Sequence, residues 1–211
     1  AILDPQTIAL EFTTSFILSV TDQAANCTGY DTVIIQVAGG PLGVNLFASP
    51  EEICLGEQSV LTAQGLGGTE IYTYAWVSDP PGFASGLSTV TVQPGITTEY
   101  TVTISDGLSS ISKSLTVTVY SNPASNAGLD VIIQYGTFTS LLGAGSGGSA
   151  SYSYRWEPAS FVINPNSSNT QTVNLISTTI FILIVTDLIT GCISESDEVV
   201  VQVEGGPLAV I

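Results

Sequence analysis

Along most of this chain apolar and polar residues alternate over short stretches, the spacing that half-buried β-strands require. The clearest case is Thr116-Val117-Thr118-Val119, which alternates with period two. Between residues 45 and 120 the pattern predicts strands over Ser59–Ala63, Tyr72–Val77, Thr89–Val92, Glu99–Ser105 and Ser114–Tyr120. Clusters of Gly, Pro, Asn and Ser separate them, as turns do. Nowhere do apolar residues recur at i, i+3, i+4 and i+7 over several turns with plausible caps, so no helix is expected.

The strands belong to repeats. Residues Gln6 to Cys27 recur at a shift of 165 as Gln171 to Cys192, with 12 identities. Past a one-residue insertion the shift is 166, and Asp31 to Val44 match Asp197 to Val210 at nine further positions. A fainter repeat lies inside the long one: Tyr72-Thr73-Tyr74-Ala75-Trp76 matches Tyr152-Ser153-Tyr154-Arg155-Trp156 at a shift of 80. Two domain types, A and B, therefore alternate. Residues 1–44 read as the C-terminal half of an A domain, 45–120 as a B domain and 121–211 as a complete A domain. About seven strands in about 75–90 residues is the pattern of an immunoglobulin-like β-sandwich, so the fold class expected is all-β, with such sandwiches in tandem. A chain starting mid-domain, with no basic and apolar leader at its start, is expected to be a window from a longer array.

Composition narrows the chemistry. Eighteen acidic side chains face two cations, Lys113 and Arg155, giving a net charge of −16, and histidine is absent. Without His there is no imidazole acid or base, no Ser-His-Asp triad and no His-ligated zinc. Two cations cannot neutralise a run of phosphates, which excludes nucleic acid as a partner, and anionic membrane surfaces with it. With 44% hydrophobic and only 9% charged residues the acidity does not signal disorder, yet no apolar run approaches the roughly 18 residues of a spanning helix.

Few residues are candidates for chemistry. Trp76 and Trp156 fall in the third strand of each sandwich, flanked by alternating tyrosines; core packing is the reading preferred over a platform for sugar rings. The notable acids are Glu51-Glu52, Asp197-Glu198 and the strand-end residues Asp22, Asp106 and Asp187. Interdomain calcium is one reading, and turn-capping by aspartate the other; no Asp-x-Asp-x-Asp-Gly loop is present, so no cofactor is expected. No pair of acids is singled out for hydrolysis, and a chain that repeats its acids as it repeats its strands is not expected to be an enzyme. Asn26-Cys27-Thr28 and Asn166-Ser167-Ser168 fit the glycosylation sequon. The repeated Gly39-Gly40-Pro41-Leu42 (again at Gly205 to Leu208) is short and followed by apolar Val44, Leu46 and Phe47, so the A-to-B junction is expected to pack and be stiff.

Three stretches carry a family resemblance: Ile53-Cys54-Leu55-Gly56, the Tyr-x-Tyr-x-Trp motif, and Thr97 to Asp106. With Thr186-Asp187, Gly191-Cys192 and Asp197-Glu198-Val199 they resemble the PKD-like domains of giant Bacteroidetes surface adhesins. These are of the flavobacterial gliding-motility type, exported by type IX secretion. Trp76 and Trp156 lack the Phe-Gly-Asp-Gly that follows the tryptophan in animal PKD domains, so the likeness is to the bacterial variant. It implies an extracellular stalk or filament segment on a bacterial cell surface, without catalytic residues. Its partners would be the neighbouring repeats and, in a carbohydrate-binding alternative, surface polysaccharide; an accessory array attached to a secreted enzyme is the other alternative. Asp31-Thr32-Val33 resembles the Bacteroidetes O-glycosylation pattern, which makes Thr32 a candidate beside Asn166. Domains of this family often hold one Cys near the first strands and one after the Thr-Asp strand. Here B keeps only Cys54, and A only Cys27 or Cys192, which suggests a bridge between neighbours, Cys27 to Cys54. Three unbridged thiols are the alternative.

Overall fold

The computed structural model describes residues 6–10, 14–22, 27–35, 37 and 39–207. The strands, in chain order, are β1 (Thr14–Asp22), β2 (Cys27–Ile35), β3 (Gly43–Ser49), β4 (Glu52–Cys54), β5 (Ser59–Leu66), β6 (Thr73–Asp79), β7 (Ala84–Ser85), β8 (Thr89–Val92) and β9 (Thr98–Ser105). There follow β10 (Ser110–Tyr120), β11 (Ala124–Asn126), β12 (Val131–Gln134), β13 (Ser140–Leu142), β14 (Ala144–Ser146), β15 (Tyr152–Glu157), β16 (Asn169–Gln171), β17 (Thr179–Asp187) and β18 (Asp197–Glu204). Among the described residues there is no α-helix, and a 3₁₀ turn at Ala159–Phe161 precedes β16.

Two compact units divide the chain. One takes Ala1–Ser49, Val60–Val92 and Glu99–Thr116; the other takes Pro50–Ser59, Gln93–Thr98 and Val117–Ile211. The stretch around Cys54 thus groups with the residues after 117.

In the first unit β1 and β2 form an antiparallel pair, and β3-β5-β8 and β10-β9-β6-β7 form the two layers of a sandwich. Alternation builds its core. Leu61 and Ala63 on β5, Val90 and Val92 on β8, and Tyr100, Val102 and Ile104 on β9 are buried at every second position. Trp76 on β6 is 1% exposed, and its indole N–H donates to the Leu87 carbonyl at 2.8 Å, which satisfies the one polar atom such a ring carries. In β3 the same alternation half-buries Val44 and Leu46, while Phe47, opposite Thr62, points away and is largely exposed. A period-two strand at the surface cannot bury consecutive residues, which is why Phe47 departs from expectation.

In the second unit β4 runs parallel to the end of β10. The following sandwich sets β11-β14 and β13-β16 against β12-β18-β17-β15, with β12 parallel to β18. Its core gathers Ala127, Leu141, Trp156, Val162, Leu175, Phe181, Leu183, Val185, Val199 and Val201. Trp156 is fully buried and donates to the Ser167 carbonyl at 3.0 Å, the position 80 residues after Leu87. Both sandwiches share one plan, with a tryptophan on the strand that pairs with the penultimate one (β6 with β9, β15 with β17) and a short early strand, β4 or β12, that runs parallel to the last.

Trp156→Ala should lower stability by about 3–5 kcal/mol, since it removes the largest side chain of a closed core. Urea unfolding followed by circular dichroism checks this; a loss below 1 kcal/mol would show that the ring is not packed as described.

Candidate functional site

The alternation that buries every second residue of β9 and β17 does not stop at the last apolar one. It carries Asp106 and Asp187, the next residues in step, to the inward side. A buried carboxylate without partners is costly. Each aspartate is answered by the turn that follows it and by a loop from across its own sandwich, β5–β6 for Asp106 and β14–β15 for Asp187. Asp106 Oδ1 accepts the N–H groups of Leu108 (2.9 Å) and Ser109 (2.7 Å), and Oδ2 accepts that of Thr69 (3.2 Å). Asp187 repeats this with Ile189 (2.9 Å) and Thr190 (3.1 Å) on Oδ1 and Ser149 N–H (2.5 Å) on Oδ2; the Ser149 hydroxyl adds a bond of 2.7 Å.

Only glycine fits beside these carboxylates. Gly68 and Gly148 lie at φ +60° and +54°, and a Cβ on either would collide with Oδ2 of Asp106 or Asp187. The tyrosines close the same loop: Tyr72 Oη donates to the Gly67 carbonyl at 2.7 Å, and Tyr152 Oη donates to that of Gly147. Burial first, and then the charge of Glu70, pushes the Tyr72 phenol up, so it stays a donor. The aspartates shift the other way. The Ser109 N–H, then the Leu108 N–H, hold Asp106 below the usual carboxylate range; the Ser149 N–H and hydroxyl do the same for Asp187, against the opposing effect of burial.

The linkers meet this clasp. Gly68 N–H donates to the Gly40 carbonyl at 2.8 Å, and a Cβ on Gly67 would strike the Pro41 carbonyl. The repeated Gly39-Gly40-Pro41 segment is therefore seated on the turn that holds Asp106. At the B-to-A junction, Asn122 Nδ2 donates to the Leu55 carbonyl at 3.2 Å and Leu55 N–H to the Tyr120 carbonyl at 2.8 Å.

The disulfide corrects an expectation. Cys54 bonds Cys192, 138 residues further on, and not Cys27. The reason lies in β4. Its parallel pairing with β10 sets Cys54 against Tyr120, at the point where the chain leaves for the next domain. Cys192 follows the Asp187 turn, with its carbonyl accepting the Asp187 N–H at 2.8 Å. Both cysteines belong to the second compact unit, so the bridge lies within it.

The other candidates are dispersed. Thr32 is exposed in β2, its N–H bonded to Asp31 Oδ1, and Asn166 is exposed in a turn, its N–H bonded to Asn164 Oδ1. Asn26 lies outside the described residues. Asp197 Oδ2 accepts the Ala127 N–H at 2.8 Å, and Asp22 stands opposite Cys27 at the end of β1. Among the described residues no three acidic or cysteine side chains gather as a metal-ligand group, and the clasp aspartates face N–H and O–H donors. Residues Gly67-Gly68-Thr69 and Gly147-Gly148-Ser149 were not among the expected site residues. The shift of 80 aligns them, and that was the available signal.

The sandwich plan and the buried tryptophans of β6 and β15 define an immunoglobulin-like β-sandwich protein. The sequence matches no protein-family model and no curated protein. Among solved structures the chain is similar to the N-terminal eight Ig domains of Down Syndrome Cell Adhesion Molecule (10% identity, TM-score 0.49, covering 92% of this chain and 28% of that one). It is also similar to an I-band triplet of titin (16%, TM-score 0.43, 79% and 66%) and to extracellular domains 3–5 of Drosophila OTK (12%, TM-score 0.42, 92% and 72%). The chain thus spans 28% of the first of these structures and 66% of the second. At such levels these likenesses add nothing to the strand order.

Two outcomes follow from the clasp and the bridge. Because both aspartates are held below their ordinary range, their stabilisation is complete above about pH 4 and is lost as pH falls toward the native-state values. The melting temperature should hold between pH 7 and 5 and fall steeply below 4, whereas a curve flat to pH 2 would contradict the clasp. Reduction, or Cys54→Ser with Cys192→Ser, should remove up to about 5 kcal/mol, the chain-entropy value for a loop of 138 residues. Calorimetry with and without reductant measures it.

Proposed function

We propose that the chain is a structural repeat segment of an extracellular bacterial adhesin or filament, a stiff spacer serving surface attachment or gliding. The observation that carries this reading is the Cys54–Cys192 bridge, which spans 138 residues of a chain whose strands and clasps repeat. A disulfide of this kind belongs to an oxidising compartment, which supports an extracellular location. The linker seated on Gly67-Gly68 favours short, constrained connections over flexible tethers. Net negative charge keeps such segments from sticking to one another. Placement on a bacterial surface and export by type IX secretion rest on the resemblance of the Tyr-x-Tyr-x-Trp and Thr-Asp-x-x-x-Gly-Cys stretches.

The polysaccharide-binding alternative needs exposed aromatic faces. Here the Tyr72 and Tyr152 hydroxyls are tied to carbonyls, and Tyr152 and Tyr154 pack edge to face at 6.3 Å against the core. The isolated chain, passed over a panel of immobilised polysaccharides, should be retained by none, and small-angle scattering should give an elongated profile. Retention that Tyr74→Ala or Tyr154→Ala abolishes would replace the spacer with a binding module.

A further inference from the structure

The β1–β2 pair reproduces β17–β18 in register as well as in sequence. Thr14 stands opposite Ile35 and Leu18 opposite Asp31; at the repeat shifts these become Thr179 opposite Val201 and Leu183 opposite Asp197, the pairs that β17 and β18 form. The same side chains have opposite fates. Leu183, Val185 and Val199 are core residues, under Trp156, Leu141 and Leu175. Their counterparts Leu18, Val20 and Val33 are 61%, 62% and 59% exposed. A strand pair that repeats both the residues and the register of a buried sheet, and shows that sheet's core side to solvent, is shaped for the layer that covers it in the other copy.

We infer that the apolar face of β1–β2 receives an A-type half-domain, a segment with the strand pattern of residues 124–175, supplied by the same polypeptide ahead of β1. The order is that of the complete copy, where β11 to β16 precede β17. The partner strands are fixed by the known pairs. Trp156 lies opposite Leu183 in the β15–β17 ladder, so a tryptophan stands opposite Leu18. Val131 lies beside Val201 in the parallel β12–β18 ladder, so a β-branched residue stands beside Ile35. The occupant's chemistry is thus a short parallel strand, an antiparallel strand ending in Trp, and apolar residues such as Leu141 between them. This inference rests on the repeat and is independent of the spacer reading; a polysaccharide-binding array would need the same half-domain.

The test joins a second copy of residues 121–170 directly to Gln6, since Gln6–Thr13 already correspond to Gln171–Thr178. Amide hydrogen exchange at Leu18 and Val20 should slow at least tenfold in the extended chain, toward that of Leu183 and Val185. The added tryptophan should emit as a buried ring. Leu18→Asp in the extended chain should abolish both effects and leave the exchange of Leu183 and Val185 unchanged, which separates loss of docking from general unfolding. Unchanged exchange at Leu18 and Val20 with an exposed added tryptophan would overturn the inference. So would sedimentation of the unextended chain as a dimer with these amides already protected, because a second copy would then be the occupant.

Discussion

The position of Asp106 and Asp187 is the constraint on which the rest of each sandwich turns. Strand alternation is a geometric rule with no regard for chemistry, and it delivers a carboxylate to the inside as readily as a valine. Once there, the group must be surrounded by donors. Those come from the turn that follows it and from a loop whose backbone can approach only because glycine stands at its tip. The loop is in turn held by a tyrosine hydroxyl, and the first of the two loops also bonds the incoming linker through Gly68 and Gly40. One buried charge therefore ties together the end of a strand, a turn, an aromatic side chain and the route by which the chain arrives.

Much of this was legible in the sequence, for reasons that differ by level. Strands such as Thr89–Val92 and Glu99–Ser105 could be placed because a half-buried strand writes its burial into every second letter. Trp76 and Trp156 could be assigned to the core because a small sandwich has few large rings to fill it. The clasp was only half legible. Asp106 and Asp187 stood out as strand-end acids, and aspartate at a turn was one reading of them. Their partners, Gly67-Gly68 and Gly147-Gly148, read as ordinary punctuation, since glycine in a loop does not say what approaches it.

The disulfide was misread for a related reason. Three cysteines with complementary positions suggested a bridge between neighbours, and Cys27 lies nearer to Cys54 in sequence than Cys192 does. Which neighbour is reached depends on which end of the sheet Cys54 occupies, and that follows from the parallel pairing of β4 with β10. Parallel contacts between distant segments leave no local trace in sequence.

The Cys54–Cys192 bond also changes what a pull on the two ends of the chain would do. Covalent tension entering before Cys54 crosses the sulfur pair and leaves after Cys192, so the residues between them form a closed ring outside the line of force. Nearly all of one sandwich and most of the next, about 450 Å of polypeptide if drawn straight, cannot be paid out while that bond is intact. A tether assembled from such rings could lengthen under strain only by the strands outside them, β3 and β18 among them, until a thiol breaks that single bond.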